Sequence, residues 1–303
     1  MFELWVPITI AAAFCQNVRS ALQKHLKGQM GTSGATMTRF IYAIPFAALY
    51  AFLLHSQGGY AWPAPTATFA IYTMTGGLTQ IAATALLVYL FSFRNFAVGT
   101  TFSKTETVQA AIFGAVVLGD PLSLGALLAI LVSLLGVVAL TVARDTNTTL
   151  RSVMTSWTGK PALIGLASGA CFGISAVSYR AASLSLGGEG FLMQAAFTLA
   201  CVTIFQTLVM TAYLLVREPN ELVRVLKSWR ISVWVGLSGM AASAGWFTAM
   251  TIQNAAYVRA LGQIELLFTF AVSVILFKEK PNLKEISGIL LVCGGILILL
   301  LYA

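Results

Sequence analysis

Apolar residues along this chain come neither in alternation nor on one helical face opposite a polar one. They come in long runs. Ten runs stand at 4–26, 37–54, 67–91, 97–118, 123–143, 160–182, 190–216, 230–252, 256–277 and 284–302. Each is long enough to cross a hydrocarbon layer as an α-helix, which takes about 20 residues. The punctuation is strong: Gly58, Gly59, Pro63 and Pro65 part the second run from the third, and Asp120-Pro121 the fourth from the fifth. Gly187, Gly188 and Gly190 part the sixth from the seventh, and Lys280-Pro281 the ninth from the tenth. In lipid only helices and closed barrels satisfy their backbone polar groups, and runs this long and uniform do not read as barrel strands. The pattern predicts an all-α membrane protein of ten transmembrane helices.

Composition agrees. Of 303 residues, 58% are hydrophobic and only 9% charged, against roughly 25% charged in soluble domains. An ordinary soluble domain and a disordered chain are both excluded. The net charge of +8 would suggest nucleic acid in a soluble protein, but these cations sit between apolar runs, where they set topology instead. Of the 18 Lys and Arg, 14 fall in the first, third, fifth, seventh and ninth connections, Arg94, Arg151, Arg224 and Lys284 among them. Two, Arg180 and Arg259, lie near span ends on the opposite side, and Arg19 and Lys104 lie within spans. The positive-inside rule then places both termini on the outer, periplasmic side of a bacterial-type inner membrane. The start, MFELWVPITIAAAF, has no basic region and carries Glu3, so no cleaved signal peptide is expected. The four cysteines all lie in apolar runs without metal or disulfide spacing.

The chain also repeats. A shift of 159 residues lays Asn95 on Asn254, Glu106 on Glu265, Asp120 on Glu279 and Gly136 on Gly295; nearer the front, a shift of 156 lays Cys15 on Cys171 and Lys24 on Arg180. The repeats are expected over 1–145 and 159–303, with a cytoplasmic linker at 146–158. Each holds five spans, an odd number, so the two insert in opposite directions. Inverted repeats are a recurrent plan of secondary transporters, with the site near the midplane between them.

The segments ETVQAAIFGAVVLGDPLSLGALLAILVSLLGVVAL and ELLFTFAVSVILFKEKPNLKEISGILLVCGGILIL, each an acidic turn followed by a Gly-containing last helix, resemble the EamA type of the drug/metabolite transporter superfamily. The resemblance covers nearly the whole chain and is specific for superfamily rather than for substrate. Thr107 and Leu266 stand where that family commonly has proline, and Asp120 where it commonly has glutamate. The resemblance implies a ten-helix basket around a central cavity, working by alternating access.

Ionisable groups inside a bilayer cost about 2.5–3.5 kcal/mol at a helix centre and call for a partner, water or a function. Five stand out: Arg19, Lys104, Glu106, Arg259 and Glu265. Glu106 and Glu265 fall near the midplane, each about nine residues into its span, about 13 Å at the α-helical rise. Either carboxylate is a candidate for proton coupling; the plainer alternative is that it neutralises a buried cation or caps a helix break. Arg19 and Lys104 suit a carboxylate or phosphate, Arg with a bidentate grip. The plainer readings are snorkelling for Arg19 and an ion pair with another helix for Lys104. Arg259 suits interfacial anchoring as well as ligand contact. Asn17, Gln80 and Tyr179 are candidate lining residues, and Trp246 a candidate wall for an amphipathic ligand, although polar residues in spans more often bond helix to helix. Gly76-Gly77 and Gly236–Gly245 put small residues at corresponding places in spans three and eight, suited to close packing.

No G-x-x-x-x-G-K-[ST], H-E-x-x-H, G-x-S-x-G or TVGYG occurs. The expected protein is not an enzyme and carries no cofactor or metal. It is read as a secondary-active or facilitative transporter, an exporter, of a small anionic or zwitterionic, amphipathic metabolite, with the bilayer and a coupled proton as its other partners and no nucleic acid. The alternative is an intramembrane enzyme or flippase handling lipid-linked phosphate substrates.

Overall fold

The computed structural model describes residues 3–26, 29–90, 93, 96–144, 158–188, 190–275, 278 and 281–302. Asn95 and Glu279 of the repeat, all but the last residue of the 146–158 linker, and Lys27, Arg94, Arg151 and Lys280 among the loop cations lie outside the described residues. Among the described residues the chain is helical, with no strand. Six stretches are long and apolar enough to cross a membrane by length and composition: Thr32–Ser56, Leu124–Ala143, Lys160–Ser185, Phe191–Arg217, Ala255–Val272 and Leu283–Tyr302.

The helices are α1 (Trp5–Leu26), α2 (Thr32–Ile41), α3 (Ile44–Ser56), α4 (Ala67–Leu90), α5 (Phe96–Ser103), α6 (Glu106–Leu118), α7 (Leu124–Arg144), α8 (Lys160–Ser185), α9 (Phe191–Arg217), α10 (Pro219–Lys227), α11 (Trp229–Ile252), α12 (Ala255–Leu261), α13 (Glu265–Ile275) and α14 (Leu283–Tyr302). A 3-10 turn, Gly262–Ile264, joins α12 to α13. Seven of the ten expected segments are met by single helices that begin and end within three residues of the expected limits: α1, α4, α7, α8, α9, α11 and α14.

The departures have local causes. The expected helix over 37–54 begins earlier, at Thr32, and is interrupted at Tyr42-Ala43, where Pro45 in the first turn of α3 has no N–H to continue the ladder. The segments 97–118 and 256–277 are each divided in the middle, before Glu106 and before Glu265. Helix α10 lies where the sequence pattern predicts a loop. Pro219 opens it, with Glu221 in its first turn and Arg224 and Lys227 in its last, as the helix dipole favours. The stop before Asp120-Pro121 is made by Gly119, left-handed at φ 66°, with Asp120 N–H bonding back to Gly114 O.

The chain forms two compact units, each drawing on both halves of the sequence. The first comprises Met1–Leu78 and Ser178–Gln253, the second Thr79–Val177 and Asn254–Ala303. In the first, α1 lies along α11 and α9 packs on α2, α3 and α11. Its close approaches pass through glycine: a Cβ at Gly245 would stand 2.7 Å from that of Ala12. In the second, α7 and α14 run in contact. A Cβ at Gly136 would meet the Val292 nitrogen at 2.6 Å, and one at Gly295 would run into Ser133, so these two glycines are where α7 and α14 touch.

Candidate functional site

The second unit contains two divided helices, and the divisions fall at matched places. Between α5 and α6 the chain tightens: Lys104 N–H bonds Thr101 O at 3.1 Å and Thr105 N–H bonds Phe102 O at 3.2 Å. The Thr105 hydroxyl donates to the same Phe102 carbonyl at 2.6 Å. A β-branched hydroxyl residue competing for a backbone acceptor is a local reason for the helix to stop there. Glu106 then opens α6. In the other half, Asn254 caps α12 by accepting the Ala256 N–H at 2.8 Å. The helix ends at Leu261, the turn Gly262–Ile264 intervenes, and Glu265 opens α13. The 159-residue shift that pairs Glu106 with Glu265 therefore also pairs the two divisions. Each glutamate sits on the first turn of a half-helix, where the dipole favours negative charge.

The two carboxylates are held crosswise. Lys104 Nζ donates to Glu265 Oε1 at 3.0 Å, and Arg259 Nη2 donates to Glu106 Oε2 at 2.9 Å. Each glutamate thus takes its cation from the other half of the sequence. The cations are not matched: Lys104 lies beside its own division, with Gln263 at the corresponding position, whereas Arg259 lies nearly a turn before Gly262. The pairs also differ in access. The Arg259 and Glu106 side chains are 18% and 11% exposed, those of Lys104 and Glu265 29% and 20%. Beside them Gln263 is buried. Its Nε2 donates to Arg259 O at 3.4 Å, and its Oε1 meets no donor among the described residues.

A stripe of glycine on α8 makes room for the first division. Gly165, Gly169 and Gly173 recur every fourth residue, on one helical face. A Cβ at Gly165 would run into Gly99 O; one at Gly169 would lie 2.9 Å from Ser103 O, and one at Gly173 3.0 Å from Ala110 N. The α8 backbone therefore lies directly against the turn that presents Lys104 and Glu106. This G-x-x-x-G-x-x-x-G spacing is visible in the sequence as a packing signal, but not the partner it serves. Gln263 gave no signal beyond being polar within an apolar run.

The expected site residues divide between the units. Lys104, Glu106, Arg259 and Glu265 converge in the second, where Gln80 also stands, half-buried on α4. These four charges balance as a neutral quartet, and the fifth intramembrane charge, Arg19, lies in the first unit. There Arg19 is buried, its Cδ 3.2 Å from where a Cβ at Gly239 would stand. Asn17 is half-buried on α1. Trp246 is buried and donates from Nε1 to Gln16 Oε1 at 3.1 Å. Tyr179 is buried, stacks on Phe247 at 4.5 Å, donates to Gly76 O at 2.9 Å and accepts from Gln206 Nε2 at 3.3 Å. Arg180 donates from Nη1 to the Met250 and Gln253 carbonyls, at 2.7 Å each, closing the C-terminus of α11. Glu221, unremarked in the sequence, is buried where it accepts the Gly31 N–H at 2.8 Å and pairs with Arg224 at 2.6 Å.

Comparison with known proteins adds a family likeness. No curated protein matches the chain. Among solved structures, one crystal structure superposes over 98% of this chain and 96% of its own with a TM-score of 0.71 at 14% sequence identity, which establishes a shared fold. The model of the EamA-like transporter family matches residues 159–301. That segment is similar to the EamA-like transporter family of the drug/metabolite transporter superfamily, and with the apolar helices it supports a multi-pass membrane protein of the transporter type.

Proposed function

We propose that the protein is a secondary-active or facilitative transporter exporting a small anionic or zwitterionic, amphipathic metabolite by alternating access, and that the quartet of Lys104, Glu106, Arg259 and Glu265 is its exchange centre. In this reading ten helices in two inverted repeats cross a bacterial-type inner membrane with both termini outside. The observation that carries the proposal is the crossed pairing of two glutamates, each at the start of a half-helix, with cations from the opposite repeat. Discontinuous helices with charged groups at the break are how many carriers bind solutes and ions away from the membrane surface.

The chemistry follows from charge balance. With both glutamates ionised the quartet is neutral and each cation is occupied. When Glu265 takes a proton, its claim on Lys104 weakens and the quartet carries +1. Lys104 is then free to receive a substrate carboxylate. Departure of the proton restores the ion pair and expels the anion. The same exchange at Glu106 would weaken its hold on Arg259, whose planar fork can take a carboxylate bidentately. The open acceptor of Gln263 suits a substrate ammonium or hydroxyl, which favours zwitterions.

The test is uptake by proteoliposomes under an imposed pH gradient, screened over amino acids, small carboxylic acids and their amphipathic conjugates. Wild-type protein should move at least one such solute with the gradient, and Glu265→Gln protein should lose the coupling. Undiminished, gradient-driven transport by both Glu265→Gln and Glu106→Gln proteins would remove the quartet from the mechanism.

A further inference from the structure

The short helix α10 stands apart from the transport reading. It connects the end of the apolar helix α9 at Arg217 to the start of α11 at Trp229, and its two long faces are unlike. The inward face carries Glu221 and Val225, both buried. Both carboxylates of this stretch are engaged there with α2: Glu221 accepts the Gly31 N–H, and Glu218 accepts the Ser33 hydroxyl. Helix α2 has no capping side chain and no acid of its own in its first turn, so these acids supply the negative charge its N-terminus favours. Tyr42 fastens the same contact by donating to Val225 O at 3.0 Å.

With the acids turned inward, the outward face keeps apolar and cationic groups. Val223, Leu226 and Lys227 are spaced three and four apart, on one side of the helix. Val223 and Leu226 are 49% and 55% exposed. Past Ser228, Trp229 and Arg230 are exposed too, with the Arg230 guanidinium 5.8 Å from the Trp229 ring centre. Arg217 is exposed at the other end. A helix with apolar residues flanked by Lys, Arg and Trp lies in the interface between headgroups and acyl chains.

We propose that the outward face of α10 and the start of α11 form a binding site for anionic phospholipid, with Lys227 and Arg230 on the headgroup phosphate and Val223, Leu226 and Trp229 among the upper acyl carbons. Arg224 is left out because it is committed to Glu221. Charge complementarity selects an anionic lipid over a zwitterionic one, since near the surface each basic residue contributes roughly a fivefold preference.

The experiment uses the whole protein in proteoliposomes containing trace spin-labelled phosphatidylglycerol or phosphatidylcholine, and reads the motionally restricted fraction of each. Wild-type protein should restrict phosphatidylglycerol preferentially, and 1 M salt should collapse the preference. The doubly substituted Lys227→Gln/Arg230→Gln protein should lose it by roughly 25-fold, two such factors, while melting at the wild-type temperature in detergent. Equal restriction of the two lipids by wild-type protein, or a wild-type preference in the double variant, would overturn the proposal. Should the double variant not fold, the salt dependence of the wild-type preference decides by itself, and a preference indifferent to salt counts against the site. Efficient disulfide cross-linking of Leu226→Cys protein between copies in the bilayer would give this face to a second copy and also overturn it. Lipid restriction is read without transport, so the result stands whatever becomes of the exchange centre.

Discussion

The two compact units differ in how their polar groups are bonded, although the first also holds the side-chain pairs Trp246–Gln16 and Glu221–Arg224. In the first, Tyr179, Gln206 and Arg180 spend their donors on backbone carbonyls: those of Gly76, of Gly77 and of Met250 and Gln253. A carbonyl bonded in this way is part of the chain and can be exchanged for nothing. In the second, Lys104, Glu106, Arg259 and Glu265 are bonded to one another, side chain to side chain, across divided helices. Such bonds can be opened by a proton or replaced by a charged ligand without unmaking a helix. The first arrangement fixes a fold; the second stores an alternative partner for each charge. That is why the candidate centre falls in the second unit and not among the backbone-directed hydrogen bonds of the first.

The contrast can be broken most severely at the better-buried pair. Glu106→Gln leaves Arg259 without its carboxylate, and loss of one partner of a buried pair costs about 3–5 kcal/mol. We expect a fall in detergent melting temperature larger than that from a substitution in the α8 glycine stripe or at Lys104. Glu106→Gln/Arg259→Gln protein, where neither charge remains, should recover part of it. If the single variant melts like wild type, the pair is not held as the structure has it. Next comes the glycine stripe. Gly169→Leu drives a side chain into Ser103 O and the turn before Glu106, and overpacking of this kind costs about 1–3 kcal/mol. Because the strain falls on the turn itself, transport should decline more than melting temperature, whereas Gly294→Leu, where a Cβ meets nothing within 4 Å, should leave both unchanged. The more accessible pair should matter less to stability. Lys104→Gln should cost about 1 kcal/mol or less, since partly exposed ion pairs contribute little, yet it should abolish anion transport if Lys104 receives the substrate. A large effect on melting and none on transport would make Lys104 a structural cation.

Much of this architecture was legible from hydrophobic runs. The limits of α4, α8 and α11 follow directly from where apolar residues begin and end, because lipid admits no other backbone solution. The divisions before Glu106 and Glu265 were not read from the sequence, because each lies within a longer apolar run, although the first falls in a polar stretch, TTFSKTETVQ at 100–109. What stops the helix there is local bonding, such as the Thr105 hydroxyl on Phe102 O. The two glutamates, 159 residues apart, were visible in the sequence. Their crossed partners were not, because Lys104 and Arg259 occupy unmatched positions and periodicity carries no information about which side chain reaches another helix. Helix α10 was hidden because a nine-residue stretch holding Glu221, Arg224 and Lys227 is too short and too charged to read as a span and so reads as a loop, and only the inward use of Glu218 and Glu221 on α2 reveals its outward face.

The smallest expected effect sharpens the comparison from the other side. Tyr179→Phe keeps the ring stacked on Phe247 and removes only the hydroxyl that serves Gly76 O and Gln206. A buried hydrogen bond of this kind is worth about 1 kcal/mol, more if its acceptor is left bare. Gln206 already donates to the neighbouring carbonyl of Gly77 at 3.3 Å, so its amide can shift toward Gly76 O and absorb part of the loss. The variant should therefore melt slightly below wild type and transport with an unchanged KM and pH dependence. If instead the KM rises several-fold while melting stays put, Tyr179 touches the substrate. The first unit would then take part in substrate binding, and the assignment of the exchange centre to the second unit alone would fail.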